Sequence, residues 1–377
     1  MHAPPPSPYV YGLDLIRFAC TLMVCAFHLS WHNPALVATM PFGWIGVQVF
    51  FVLSGVVIAN SAAGSTPMRF LRSRFLRLYP AAWLAAVVNF GVLLSVPQDV
   101  FGAVGIWVDP SWRALGYSLG LAGTTFLTSA YWTLPIELAF YGLILLSILG
   151  GGARRFTAVA RLLVLASLPY CVLLAGACAQ GFALGWFDFG YGPKNMFLLR
   201  HGIYFAIGIY FWLLNGPRPL AALDRVLLAL ALLGGALEMF ARASQIVAGY
   251  AVGPGGPIGL AYLTGGALAL FALLAGAIVL SLRRARSWSP PATLGRTVRM
   301  LGLLTYPFYL VHEILGGVVL HGALARGLAP AAALVLAMLA VAFVAWLIAG
   351  LAEPRLRAAI GRALDRFRPP ARTLEGA

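Results

Sequence analysis

Ten stretches of this chain are apolar for about twenty residues at a time, the length an α-helix needs to cross roughly 30 Å of hydrocarbon. They fall at about 12–32, 42–60, 78–97, 131–150, 158–180, 197–215, 222–243, 257–282, 299–321 and 328–350. In lipid each backbone N–H and C=O must be satisfied within the protein, so runs of this kind fold as helices. The expected fold class is therefore all-α, a polytopic membrane helix bundle. Composition agrees. The chain has 377 residues, 61% hydrophobic and 10% charged, whereas a soluble domain is about half apolar and about a quarter charged.

The basic residues orient the bundle. If the N-terminus is cytoplasmic, the loops and tail on that side carry twenty Lys and Arg residues. The opposite side carries Arg113, Lys194, Arg200, Arg242 and Arg326. Such a bias follows the positive-inside rule and predicts both termini in the cytoplasm. It also accounts for the net charge of +15 without nucleic acid as a partner; the lipid bilayer is the partner the charge serves. A segment near 117–130 is too short and polar to span and is expected to dip into the membrane. The basic tail at 358–377 is weakly amphipathic and is expected to lie on anionic lipid as a surface helix.

Cys20, Cys25, Cys171 and Cys178 fall within apolar stretches, without metal-ligand spacing or a disulfide framework. Residues 1–11 carry no Lys or Arg, so a cleavable signal peptide is not expected. There is no internal repeat, GxSxG or HExxH. The VGPGGP at 252–257 reads as a turn, and His2, His32, His201 and His321 sit at ends or in loops. Nothing specifies an oligomeric state.

Ionisable groups inside the spans are costly and point to function. The first span reads LDLIRFACTLMVCAFH. Arg17 and His28 are eleven residues apart, which puts them on one helix face about 16 Å apart along the axis. Asp14 lies one turn from Arg17 and can pair with it. At the start of the third span, Arg69, Arg72, Arg74 and Arg77 form a cluster. It is either a topology signal or a phosphate grip, since a guanidinium offers a bidentate fork. Glu137 lies one to two turns into the fourth span and needs an Arg, a His or a water-filled cavity. Tyr306, His312 and Glu313 lie in the ninth span. His28, Glu137 and His312 are expected at similar depth. Two histidines and a carboxylate at one level suit acid/base chemistry, or equally a proton relay in a transporter or flippase. The ligands come from different helices with no short-range motif, so no metal is expected.

Four blocks, in order, resemble the acyltransferase 3 family of integral membrane acyltransferases: GLDLIRFACTLMVCAFH; GWIGVQVFFVLSGVVI, containing Ser54 and Gly55; FLRSRFLRLYP with YWTLPIELAFY; and TYPFYLVHE. The AEPRLR around Glu353 and Pro354 resembles the family's closing segment. The resemblance spans residues 9–357. Leu138 and Ala139 follow Glu137 where the family often has a polar pair.

The resemblance implies an O-acyltransferase of the bacterial cytoplasmic membrane. It would move an acyl group, usually acetyl, from cytoplasmic acyl-CoA to a carbohydrate or glycolipid hydroxyl. Acyl-CoA would be a cosubstrate, with no bound cofactor. Arg69, Arg72, Arg74 and Arg77 would hold its phosphates. His28, Arg17 and Glu137 would be catalytic, with Glu137 orienting an imidazole. Tyr306 and His312 would line the acceptor side, and Asp14, Ser54 and Gly55 would support the structure. The competing class is a proton-coupled transporter or flippase of a small acid or lipid-linked sugar.

Overall fold

The computed structural model describes residues 9–31, 33, 35–37, 39–190, 192–249, 259–285, 287 and 290–366. His2, His32, the turn at 252–257, Arg286 and the tail from 367 lie outside them. The helices are α1 (Tyr11–Ser30), α2 (Ile45–Ala62), α3 (Pro67–Ser95), α4 (Asp99–Ala103), α5 (Trp112–Gly120), α6 (Thr133–Leu149) and α7 (Phe156–Ala179). They continue with α8 (Gly202–Leu214), α9 (Ala222–Gly249), α10 (Leu260–Arg284), α11 (Ala292–Ala325), α12 (Pro330–Leu347) and α13 (Glu353–Arg366). Among the described residues ten segments are long and apolar enough to cross a membrane, matching the ten expected from hydropathy. The fold is a helical membrane bundle.

Boundaries differ from the hydropathy reading where polar residues sit on a helix. The third span begins at Pro67 rather than near 78. Thr66 caps it, its hydroxyl accepting from the Arg69 N–H at 3.3 Å, and Pro67 occupies the first turn. The arginine cluster is thus helical and continuous with the span. The segment at 117–130 takes in the end of α5 and the start of a 3-10 turn at Ser129–Trp132, tied back by Trp83 Nε1 donating to Leu119 O at 2.9 Å. A π-turn, Ile348–Ala352, joins α12 to α13. The start of the tail is helical, and it is held to α3. Arg72 pairs with Asp365 at 2.8 Å, and Arg357 Nε donates to Leu76 O at 2.9 Å.

α1 packs against α11 and α2, and α2 packs against α8. Gly55 and Gly208 set that last contact. A Cβ on Gly208 would stand 2.1 Å from Val52 O and 2.8 Å from Gly55 Cα. One on Gly55 would stand 2.4 Å from Phe205 O. Small residues let helix backbones meet where lipid offers no hydrophobic drive for association. All four cysteines are free thiols, and Cys20, Cys25 and Cys171 are buried.

Gly208→Ala therefore cannot be absorbed by a side-chain shift and should cost about 1–3 kcal/mol, seen as a lower unfolding midpoint in detergent. Gly142→Ala, which meets nothing within 4 Å, should leave the midpoint unchanged or raise it. Equal behaviour of the two variants would show that the α2–α8 contact tolerates separation.

Candidate active site

Two cavities lie along α1, one at each end of the Arg17–His28 face. The first, of about 440 Å3, is lined by Arg17, Arg74, Arg77, Arg299 and Arg357 with Asp14, Glu137 and Tyr306. Five arginines face two carboxylates, so the cavity attracts anions. Asp14 lies against Gly302, where no Cβ would fit. It accepts from Arg17 Nη1 at 3.1 Å and from the Tyr9 hydroxyl. The Tyr9 phenol, outside the spans, is pushed up to about 12 by burial and by Asp14. Glu137 Oε1 accepts from Tyr141 Oη at 2.5 Å and from Ser54 Oγ at 3.4 Å. The Arg74 guanidinium sits 5.8 Å from the Phe70 ring and 5.9 Å from that of Tyr141, a cation–π setting that holds it at the wall.

The second cavity, of about 420 Å3, contains His28, Glu313, Arg200, His201 and Glu238 among a largely aromatic wall. His28 Nδ1 lies 2.5 Å from Glu313 Oε1. Glu313 is buried and fully engaged. It accepts from Ser129 Oγ at 2.6 Å, from the Ala130 N–H at 3.0 Å and from the Thr128 hydroxyl. His312 Nδ1 lies 2.6 Å from Tyr309 O, and its Nε2 lies 3.2 Å from His28 Nδ1.

These contacts fix the tautomers. A carbonyl can only accept, so His312 carries its proton on Nδ1 and presents a lone pair at Nε2. That lone pair and Glu313 both face His28 Nδ1, which must be the protonated nitrogen. The proton-accepting nitrogen of His28 is then Nε2, which has no hydrogen-bond partner among the described residues. This is the histidine–carboxylate logic of a general base.

The ligand-type atoms of His28, His312 and Glu313 lie within 4.8 Å of one another, compact enough for a metal. Apart from the lone pair of His28 Nε2, these atoms are already engaged with Tyr309, Thr128, Ser129, Ala130 and each other, so the donor set fits a hydrogen-bonded relay better than a cation site.

The expected residues are divided between the cavities. His28 and His312 meet, as their shared depth implied. Glu137 does not join them; it lines the arginine cavity with Ser54. The carboxylate at His28 is Glu313, which sequence reasoning had noted in the span but given no role. Tyr306, expected on the acceptor side, lines the arginine cavity, its buried hydroxyl without a partner. Arg74 and Arg77 line that cavity, whereas Arg69 is exposed and Arg72 holds α13. Arg299 and Arg357, from the far end of the sequence, complete the set. The second cavity also holds a buried ion pair that sequence reasoning missed: Arg200 Nε to Glu238 Oε1 at 2.7 Å. Tyr204 Oη adds a 2.8 Å donation to Glu238, and Gln48 Nε2 a 3.4 Å one. A glutamate in the middle of an apolar run was the available signal.

This bundle joins a His28–Glu313 pair to an arginine-lined cavity. The chain belongs to the acyltransferase 3 family, whose acyltransferase domain matches residues 10–350. It is similar to BcsY of Komagataeibacter xylinus, which bears the name of a membrane-bound transacylase. The two are 30% identical over 230 residues, covering 57% of this chain and 54% of that protein. It is also similar to MdmB of Streptomyces mycarofaciens, named an acyltransferase, at 28% identity over 150 residues, 37% of this chain and 39% of the relative. The match thus spans about half the length of the first relative and less of the second. No solved structure matches.

Removing one half of a buried ion pair leaves the other charge stranded. Glu238→Ala should therefore destabilise the protein by about 3–5 kcal/mol. Asp365→Ala, which breaks a half-exposed pair with Arg72, should cost no more than about 1 kcal/mol. Chemical denaturation of both variants in detergent checks this, and a Glu238→Ala protein as stable as wild type would refute it.

Proposed function

We propose that this protein is a membrane O-acyltransferase of the bacterial cytoplasmic membrane. It passes an acyl group, acetyl being the first choice, from acyl-CoA in the arginine cavity to a carbohydrate hydroxyl in the histidine cavity. The observation that carries this reading is the pairing of the two cavities. Val47 lines both, so an arginine-lined cavity and the cavity of His28 lie on either side of one side chain, which supports a donor site next to a base. In this reading the arginine end is cytoplasmic, as the positive-inside bias predicts.

Arg74 and Arg77, with Arg299 and Arg357 beside them, would take the phosphates of CoA through bidentate contacts. The pantetheine arm would run along α1 past Arg17 toward Val47, carrying the thioester to His28. His28 Nε2 would accept the proton of the acceptor hydroxyl as its oxygen attacks the thioester carbonyl. The new C–O bond forms, the C–S bond breaks, and the proton passes from His28 to the departing thiolate. Glu313 would hold the imidazole in the required tautomer and offset the positive charge it acquires. Glu137, kept near Arg17 and Arg74 by Ser54 and Tyr141, would shape the donor cavity rather than orient the base. A proton-coupled transporter would use the same buried groups; family membership favours the enzyme.

The deciding assay is transfer from labelled acetyl-CoA by purified protein, without acceptor and then with cell-envelope glycan. His28→Ala and Glu313→Gln should each lower acetyl transfer or release about 100-fold or more while leaving an intact bundle. Wild-type rates in His28→Ala would sink the assignment of the base. Arg74→Ala and Arg77→Ala should each raise the acyl-CoA concentration for half-maximal rate about tenfold or more, the loss of a charged hydrogen bond. An unchanged dependence would reduce these arginines to topology signals.

A further inference from the structure

The arginine cavity holds one carboxylate oxygen that the protein leaves open. Glu137 lines this cavity and is partly exposed. Its Oε1 accepts from Tyr141 Oη at 2.5 Å and from Ser54 Oγ at 3.4 Å. Its Oε2 has no hydrogen-bond partner among the described residues, and unlike the Tyr306 hydroxyl it is not fully buried. The other carboxylate of the cavity, Asp14, is engaged by Arg17 at 3.1 Å and by the Tyr9 hydroxyl.

A carboxylate oxygen can only accept. Left unmet in a membrane bundle it is costly, and it repels an anion at its own position. A cationic ligand is disfavoured by the five arginines around it. What suits it is a neutral N–H or O–H on a ligand whose anionic part lies elsewhere.

The place of Glu137 along the cavity narrows the choice. On α6, Tyr141 is one turn from Glu137, and the Arg74 guanidinium stands 5.9 Å from the Tyr141 ring. On the other side, Thr133 and Leu134 precede Glu137 by one turn and also line the cavity. On α2, Ser54 and Val47 are seven residues apart, so they share a face about 10 Å apart along the axis. Val47 also borders the histidine cavity. The open oxygen thus stands between Arg74 and the passage to His28. The pantetheine arm of CoA has its groups in the matching order: phosphates, then the pantoyl–β-alanyl amide, then the cysteamine amide, then sulfur. Extended, the pantoyl–β-alanyl nitrogen is roughly 9 Å from the sulfur at peptide-type bond lengths, and the cysteamine nitrogen is at about half that distance. With the sulfur at Val47, the first of these amides is level with Glu137.

We infer that Glu137 Oε2 accepts the pantoyl–β-alanyl N–H of the acyl-CoA arm and so sets how far the thioester advances toward His28. The inference rests on the acyl-CoA reading of the arginine cavity. A Glu137 that only braced Tyr141 and Ser54 would make no contact with the arm.

The test changes one atom of the ligand. Purified full-length protein in detergent is titrated calorimetrically with CoA and with a CoA analogue in which that amide is an ester, oxygen replacing N–H. Wild type should bind the ester analogue about tenfold more weakly, the loss of one hydrogen bond to a charged group. Glu137→Ala should bind CoA more weakly than wild type does and should bind the two ligands equally. Glu137→Gln, whose side-chain oxygen still accepts, should keep part of the preference. An ester at the cysteamine amide should change binding by the same factor in wild type and in Glu137→Ala. The comparison of two ligands on wild type needs no substitution, so the folding of a variant does not bear on it.

Equal binding of CoA and the pantoyl–β-alanyl ester by wild type would overturn the inference, as would a preference that Glu137→Ala keeps in full. In both cases CoA binding, and with it the donor cavity of the proposed function, would stand. A wild-type protein that bound neither ligand would overturn the donor site and this inference together.

Discussion

The engagement of the buried Glu313 carboxylate is the constraint around which the histidine cavity is arranged. A carboxylate deep among apolar helices is tolerated only when every oxygen is engaged. Glu313 meets that condition by drawing Thr128, Ser129 and Ala130 to itself from the segment before α6. This explains why the 3-10 turn at Ser129–Trp132 lies against α11. Through His28 the carboxylate also meets α1, which packs on α11 along the wider interface between the two helices. α11 then carries Tyr306, Tyr309, His312 and Glu313 past both cavities in succession, so one helix sets the relative positions of donor and base.

Much of this was legible in the sequence. The ten spans follow from the need to hide backbone polar groups in lipid, and Arg17 and His28 share a face because of helix geometry alone. The meeting of His28 with His312 followed from depth. The same argument misplaced Glu137, for a physical reason. Depth was counted from residue 131 as though that residue lay at the membrane surface. Ala130, however, touches Glu313, which is twelve residues, or about 18 Å, short of the end of α11. α6 therefore starts deep, and Glu137, one turn beyond Thr133, falls in the arginine cavity. The partner of Glu238 was not legible because Arg200 looked like a loop residue. Only the packing of α8 on α9 brings the two together.

The cavities differ in what they can hold, and charge makes the difference. On the arginine side five guanidinium groups converge from α1, α3, α11 and α13. In a low-dielectric setting their summed field favours a multiply charged anion over any neutral ligand. On the histidine side the arginines are matched by carboxylates, and Arg200 is already spent on Glu238 and Gln245. The interaction of Arg72 and Arg357 with α13 and α3 has a further consequence: the C-terminal helix is part of the anionic-ligand wall, through Arg357, and not merely an appendage on the lipid.

Proton balance separates the two functional classes that the buried histidines suggested at first. In the proposed acyl transfer the proton would leave the acceptor hydroxyl, rest on His28 Nε2 and end on the departing thiolate, so none would need to cross the bundle. Proton-coupled transport would require titratable groups joining the two cavities. Val47 lines both cavities; Phe50, Thr133 and Tyr309 line the arginine side, where the Phe50 and Tyr309 rings meet and the Thr133 and Tyr309 hydroxyls lie 3.4 Å apart. Glu137 lies on the arginine side and Glu313 on the histidine side. The Tyr309 carbonyl fixes the proton of His312 on Nδ1 and leaves its Nε2 facing His28 Nδ1. The relay thus ends at a single open nitrogen, which suits a base that borrows a proton and returns it within one catalytic cycle.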